Sequence, residues 1–364
     1  MTDLPTPPVS PPPMAHPLRF TGSTAGYFRL WLVNLLLSVA TLGVWSAWAK
    51  VRTKKYFYGH TRLAGSAFDY DTTGWVILKG RAVAVAVIAV WSVLTGFAPL
   101  AALPLGAVVF FGLPWIINRG LRFNARVTVW RNVRFDFQGS YGRTLLYFFV
   151  LIIPVYMTGL LGLPWLQRAR SRYLTESYRF GTAPFHLTAD LGEFYAAYLR
   201  TVLAGVLMLI PAIGIGVGLA VGLDGSTVLD SLNSDQAAGV TLVAIYAGIF
   251  VLTATVLPYL RAQILALTLN GTTLGGSATG RLHRFSCTLS PVRYAWICLS
   301  NLAAVAVSLG LLMPWATVRL HRYTVGAITA HAAEDLDGFV SAQETASGVI
   351  SSEIMDLEGI SVAL

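Results

Sequence analysis

Apolar positions in this chain gather into long uncharged stretches rather than the short alternations of a water-soluble fold. They cover 30–49, 82–118, 144–166, 201–223, 237–260 and 294–316. Each matches or exceeds the ~20 residues that carry a helix across ~30 Å of hydrocarbon. The stretch 82–118 contains TGFAPLAALPLG near its middle, so the pattern predicts two helices there and about seven apolar helical segments in all. A polar, acidic loop, LDGSTVLDSLNSDQAAG, separates 201–223 from 237–260. Residues 1–17 hold seven prolines and no apolar run, which reads as a flexible leader and neither a signal peptide nor a span. From 332 onward the chain has seven acids and no Lys or Arg, which reads as a soluble tail, partly helical.

The apolar segments repeat. YFRLWLVNLLLSVATLGVWSAWAKVRTKKYFYGHT from Tyr27 aligns without a gap on YAWICLSNLAAVAVSLGLLMPWATVRLHRYTVGAIT from Tyr294. Asn34 then meets Asn301, Leu42-Gly43 meets Leu309-Gly310, and Trp48 meets Trp315. Basic residues stand four and seven positions beyond each tryptophan, and an aromatic eight beyond. These are Arg52, Lys55 and Tyr56 after Trp48; Arg119, Arg122 and Phe123 after Trp115; and Arg319, Arg322 and Tyr323 after Trp315. Trp165 is followed more loosely by Arg168, Arg170, Arg172 and Tyr173, and Tyr259 replaces the tryptophan in a degenerate copy. Twenty residues past the first anchors stand Phe68, Phe135 and Phe185. A self-similar period is the signature of a repeat architecture. The expected fold is therefore a mainly α integral membrane protein of about five units, each an apolar helix, a (Pro-)Trp, a basic amphipathic extension and a short β-strand or hairpin. The units span approximately 18–68, 69–135, 136–185, 186–285 and 286–331, between the leader 1–17 and the tail 332–364.

Composition agrees with a membrane setting. The 364 residues are 55% apolar and only 12% charged, with mean hydropathy +0.63; soluble domains carry about 25% charged residues. That balance excludes a disordered chain, a nucleic-acid-binding arm and nearly every cytosolic enzyme. The formal charge of +9 resides mainly in the repeated register, whose offsets of four, seven and eight trace one helical stripe. Tryptophan favours the membrane interface, and Arg or Lys one turn beyond it reach headgroup phosphates. Trp48, Trp115, Trp165 and Trp315 are accordingly expected interfacial anchors. Arg52, Lys55, Arg119, Arg122, Arg172, Arg319 and Arg322 are candidate contacts for anionic lipid or solute, and membrane lipids are the expected partners.

Charge also bears on topology. No Lys or Arg occurs between Arg81 and Arg119, or between Arg200 and Arg261, so loops 95–106 and 223–238 are expected away from the cytoplasm. Units one, three and five hold about one span each. Either the charge bias is overridden there, or TLG at 41–43, PVYMTGLLGLP at 154–164 and SLG at 308–310 break those segments into re-entrant pairs. We favour the re-entrant arrangement, with every basic extension and the N-terminus cytoplasmic.

Chemistry is sparse. The histidines and the cysteines Cys287 and Cys298 show no metal-ligand spacing, and no nucleophile–base pair is visible, so no catalytic residue, metal or cofactor is expected. The apolar segments contain no Asp, Glu or Lys, which argues against ion-coupled transport. Their notable polar groups are Asn34 and Asn301, read as interhelical hydrogen-bonding groups or as a cavity lining.

GYFRLWLVNLLLSVATLGVWSAWAKVRTKKYFYGHTRLAGSAFDYDTTG at 26–74, with LKGR at 78–81, resembles the YjgN family of bacterial inner-membrane proteins, a domain of unknown function. The resemblance covers about 18–330. It implies a multispan inner-membrane location and offers no established activity; a membrane metallopeptidase is the partner it suggests. Two readings follow. One is a channel or transport-type protein for a small solute or lipid; the other is a non-catalytic scaffold or accessory subunit that grips anionic lipid and a protein partner.

Overall fold

The computed structural model describes residues 14–346 apart from 99, 101, 225–234, 276–279 and 281. Its first elements are β1 (Met14–Pro17), β2 (Arg19–Phe20), α1 (Thr24–Ala40), α2 (Ser46–Gly59), β3 (Thr61–Leu63) and β4 (Ser66–Tyr70). Next come α3 (Gly74–Phe97), α4 (Ala102–Arg126), β5 (Thr128–Trp130) and β6 (Val133–Phe137). Then α5 (Tyr141–Leu145), a π turn (Leu146–Val150), α6 (Ile152–Met157), α7 (Leu163–Ser177), β7 (Tyr178–Phe180) and β8 (Ala183–Leu187) follow. The chain continues with α8 (Leu191–Asp224), α9 (Asp235–Asn270), β9 (Thr272–Leu274) and β10 (His283–Cys287). It closes with α10 (Pro291–Val307), α11 (Met313–Gly326), β11 (Ile328–Ala332) and α12 over 336–346.

Among the described residues, four stretches are long and apolar enough to cross a membrane: Gly74–Phe97, Ala102–Arg126, Leu191–Leu209 and Gly248–Asn270. Three shorter apolar helices cover Thr24–Ala40, Tyr141–Met157 and Pro291–Val307. The long ones present their apolar side chains outward: Val83, Val85 and Ile88 on α3 are all more than half exposed. Such a surface is stable only against hydrocarbon or another apolar body.

The short helices turn back on themselves where glycine allows it. Leu42 and Gly43 have φ of 48° and 89°, and Leu309 and Gly310 repeat the pair at 49° and 91°. Gly159 and Leu160 make the third turn at 62° and 69°. This left-handed region suits glycine, which has no Cβ to collide with the following carbonyl. Upstream of the third turn, Pro154 cannot donate to Val150, and the helix widens into a π turn in which Leu151 N donates to Leu146 O at 2.9 Å. The segments at 41–43, 154–164 and 308–310 therefore break as the sequence reading favours, giving three helical hairpins.

Each short hairpin is tied at its base. Tyr56 Oη donates to Ser23 O at 2.7 Å and accepts from Ser23 N at 3.0 Å. Tyr323 makes the same pair with Ser290, at 3.3 and 3.1 Å, and Tyr173 Oη donates to Ser140 O at 3.2 Å.

The strands form one antiparallel sheet of eleven, in the order β1-β11-β10-β9-β8-β7-β6-β5-β4-β3-β2. Its two outer members are consecutive pieces of one extended segment, separated only by Leu18, whose N–H bonds to Ile328 O. The N-terminal segment thereby bridges the two edges, and the sheet becomes a nearly closed barrel. A barrel leaves few unpaired edge groups. Alternate residues point inward: Trp130, Val133, Phe137 and Phe180 are buried, while Arg62, Arg134 and Arg284 face out.

Both expected chain ends are corrected in part. The flexible leader over 1–17 does not extend through 14–17, which pair with β11 as β1; residues 1–13 lie outside the described residues. The tail over 332–364 is not simply solvated. Its residues 336–346 form α12, which packs Leu336, Phe339 and Val340 against the barrel core; 347–364 lie outside the described residues.

Candidate functional site

The inward faces of the strands build an aromatic belt. Phe68 lies 6.1 Å from Trp130, Trp130 lies 5.8 Å from Phe180, and Phe180 lies 5.1 Å from Phe135 (ring centroids). Phe135 stacks on Phe185 at 6.5 Å, and Phe185 meets Phe285 at 6.2 Å. The phenylalanines that recur along the sequence, Phe68, Phe135 and Phe185, thus come together from three hairpins into one ring. They enclose a lumen of about 240 Å³ whose accessible wall is wholly apolar. Trp130, His283 and His331 also belong to the lining, with their polar atoms turned out of the accessible wall; water needs two to four polar partners to reside in a cavity.

Helix α12 crosses the turn end of the barrel. Phe339 packs on Phe180 and on His283. Gln343 Oε1 accepts from Thr182 N at 2.9 Å and Thr182 Oγ1 at 2.7 Å, and Asp337 pairs with Arg131. His283 Nδ1 accepts the Ala333 N–H at 3.1 Å. Burial pushes the His283 imidazole down, and Glu334, 3.9 Å from Nε2, opposes that shift.

At its other end the lumen meets a vestibule of about 360 Å³ at the base of the helices. Tyr58, Asn124, Thr128, Thr175, Tyr178 and Thr268 give it a polar wall. Phe135, Phe185 and Leu269 belong to both cavities and form the wall between them. Lys54 stands behind Asn124 of the vestibule lining: its Nζ donates to Asn124 Oδ1 at 2.6 Å and sits 4.6 Å from the Tyr70 ring centroid. A third cavity, of about 970 Å³, opens among α7, α8, α9, α10 and α11, and shares Thr268 with the vestibule. Asn301, Gln167, Thr317 and Arg261 are among its polar lining groups. The three spaces therefore adjoin in series, from the helices to the barrel.

The basic stripe is not gathered into one site; its members are spread over the hairpins, and Arg322 reaches across from the last hairpin to the start of the first. The Arg52, Arg119 and Arg319 guanidinium groups lie 5.5, 5.5 and 5.0 Å from the ring centroids of Trp45, Trp115 and Trp315. Arg319 also donates to Ser300 Oγ and Asn301 Oδ1. Arg122 donates to Phe137 O and Arg322 to Gly22 O, both at 3.0 Å, each holding a strand exit. Arg172 bonds Glu176, and Lys55 is exposed. Trp115 and Trp165 are exposed and Trp315 is half-buried; Trp48 is packed between Trp45 and Trp75.

Asn34 and Asn301 are buried and join the two legs of their hairpins. Asn34 Oδ1 accepts from Trp45 Nε1 at 3.3 Å, and Asn301 Nδ2 donates to Ala316 O at 2.9 Å. Asn301 also lines the large cavity. The sequence reading missed Lys54, Asn124, Phe285 and α12. Among the described residues, no group of three or more His, Cys, Asp or Glu is placed to hold a metal ion.

Comparison with known proteins adds the following. The family described as "Bacterial protein of unknown function (DUF898)" matches residues 15–357, a range that takes in α12. The inner membrane protein YjgN of Salmonella typhimurium (strain LT2) is 25% identical over 346 residues, covering 84% of this chain and 86% of that protein. The inner membrane protein YjgN of Escherichia coli O157:H7 is 31% identical over 127 residues, or 35% of this chain and 32% of that one. No solved structure matches the chain.

Proposed function

The chain belongs to the DUF898 family of bacterial membrane proteins, that of the inner membrane proteins YjgN, and from that premise we propose that it is a channel or transport-type protein. Its cargo is a small solute or lipid. The observation that carries this reading is the series of adjoining cavities, of about 970, 360 and 240 Å³, that share Thr268 and then Phe135, Phe185 and Leu269 as common walls. The two larger spaces are open clefts and the lumen lies behind them within the barrel, an arrangement that supports a route for cargo.

The five helix pairs serve as five units around this path, each delivering strands to the barrel. Exposed apolar tips, at Leu42, Leu161 and Leu309 in the short hairpins, support the reading of those hairpins as re-entrant insertions. The barrel and the arginines near it then face the cytoplasm, in keeping with the positive-inside bias, and the N-terminus lies with them. Cysteine labelling checks the orientation: reagent added outside reaches residues in the 95–106 loop and does not reach Arg62→Cys or Arg284→Cys on the barrel.

Flux decides the function. Liposomes carrying the full chain are expected to release a small entrapped dye, or to flip a short-chain fluorescent phospholipid, faster than protein-free liposomes. Ala330→Trp, which fills the lumen, removes the increase. Rates equal to protein-free liposomes would sink the transport reading.

The exposed Arg52, Lys55 and Arg119 favour a second role, grip on anionic lipid by an accessory subunit. Arg-to-Gln changes at these positions lower binding to anionic vesicles under that role and leave flux untouched.

A further inference from the structure

We infer that the vestibule and barrel lumen form a binding site for an anionic amphiphile, its charged head at Lys54 and its single hydrocarbon chain inside the aromatic belt. The inference rests on the transport reading of this path and names the class of molecule that occupies it.

The head end follows from Lys54. The side chain is half-buried, and none of the ion pairs among the described residues includes it. Its ammonium instead contacts a neutral amide, Asn124 Oδ1, and two tyrosine groups, the ring and hydroxyl of Tyr70. No carboxylate lines the vestibule, whose wall offers the hydroxyls of Tyr58 and Tyr178 as neutral donors, that of Thr128 being engaged on Asn124 O. A half-buried cation among donors, with no counter-ion, is the environment that a carboxylate or phosphate completes by charge-assisted hydrogen bonds. Asn124 fixes the ammonium by accepting from it, and its own Nδ2 is engaged on Gly120 O.

The tail end follows from the lumen. Its accessible wall is apolar, with His283, His331 and Trp130 as the lining residues that carry polar atoms, and α12 closes the far end with Leu336 and Phe339. At about 30 Å³ per water-sized group, the space holds roughly eight such groups, a medium-length alkyl chain. Only Phe135, Phe185 and Leu269 stand between this space and the vestibule. Aromatic side chains there can turn about χ1 without breaking a hydrogen bond. Charge above and hydrocarbon below, in adjoining cavities, match one molecule that carries both.

Decanoate is the probe. The full chain, held in nanodiscs of neutral lipid and immobilised, is titrated with radiolabelled decanoate, decanol and decyltrimethylammonium. Decanoate is expected to bind at least about tenfold more tightly than either, the factor that one charge-assisted bond supplies. Lys54→Met lowers decanoate binding by a similar factor and leaves decanol within about twofold. Ala330→Phe, which places a ring in the lumen, removes binding of both; Ala332→Leu, a milder filling at a second lining residue, is the partner variant, and a retained thermal transition shows that each has folded. Phosphatidylglycerol added to the discs displaces decanoate if a membrane phospholipid lends the chain, and leaves it bound if a free carboxylate is the occupant; either supports the site. Equal binding of the three probes, no effect of Lys54→Met, or decanoate binding that survives both lumen-filling variants overturns the proposal. Binding is read without flux. A conducting protein that ignores decanoate therefore refutes this site alone, and one that binds it without conducting refutes the transport reading alone.

Discussion

The short hairpins and the long helix pairs stand on the same barrel and hold their shape by different means. In the short hairpins, α1–α2, α5–α7 and α10–α11, a tyrosine at the base bonds the serine that starts the first helix: Tyr56 to Ser23, Tyr173 to Ser140, Tyr323 to Ser290. In two of them a buried asparagine ties the legs higher up. The long pairs carry Phe123 and Leu267 at the tyrosine's offset, with no hydroxyl to offer. Their apolar lengths, Gly74–Phe97 for example, suffice for a span on their own. The difference teaches where each fold derives its stability. A long helix is held in place by its length in hydrocarbon, whereas a short one must be held by hydrogen bonds to its partner leg.

That contrast can be broken at several points. The largest effect is expected at the turns. Gly310→Val forces a β-branched residue to φ of 91° and should cost about 2 kcal/mol of stability, read as a lower thermal midpoint in detergent. Gly112→Ala inside α4, where an added Cβ meets nothing within 4 Å, should be neutral or stabilising by up to ~1 kcal/mol. Next comes the base tie. Tyr323→Phe leaves the Ser290 N–H without its partner and should cost about 1–2 kcal/mol, while Phe123→Tyr in a long pair should gain nothing. Asn301→Ala should cost about 1 kcal/mol, the scale of interhelical bonds in membranes. A cost at Phe123→Tyr as large as at Tyr323→Phe would erase the distinction.

The smallest expected effect serves as a control in the barrel that both kinds of hairpin share. The His283 imidazole is held below its ordinary 6.5 by burial, so the unfolded chain binds the proton more readily. Stability is then full above about pH 6.5 and falls as pH drops below it. Protonation also removes the acceptor for the Ala333 N–H. Protease access to α12 should rise in mild acid, and His283→Asn should flatten that dependence.

Much of the fold was legible in particular residues. The stripe at offsets four, seven and eight marked the second leg of three of the hairpins, and Leu42-Gly43, the 154–164 segment and Leu309-Gly310 marked the three turns. The serine partners were harder to see, because they lie on the opposite leg. The separation is 33 residues in all three cases, a constant that a search for spaced Ser–Tyr pairs would have found. Phe68, Phe135 and Phe185 were visible as a register; Phe285 was not, because its hairpin is longer between Leu274 and His283. Lys54 was missed because the stripe draws attention to Arg52 and Lys55 on the outer side. Helix α12 was hidden by its acids, although Leu336, Phe339, Val340 and Gln343 follow the three-, four- and seven-residue spacing of a buried face. The pairing of β1 with β11 joins residues more than three hundred positions apart, which no local pattern encodes.

That last pairing sets the order of assembly. Strand β11 is synthesised nearly last, so the barrel stays an open sheet, with a free edge at each end, while the four preceding units enter the membrane. The final strand fastens the beginning of the chain to its end, and only then is the lumen enclosed. Because the ring is joined by hydrogen bonds at that seam, the seam itself can be moved. A chain begun between α8 and α9 and joined through its old termini should reach the same barrel.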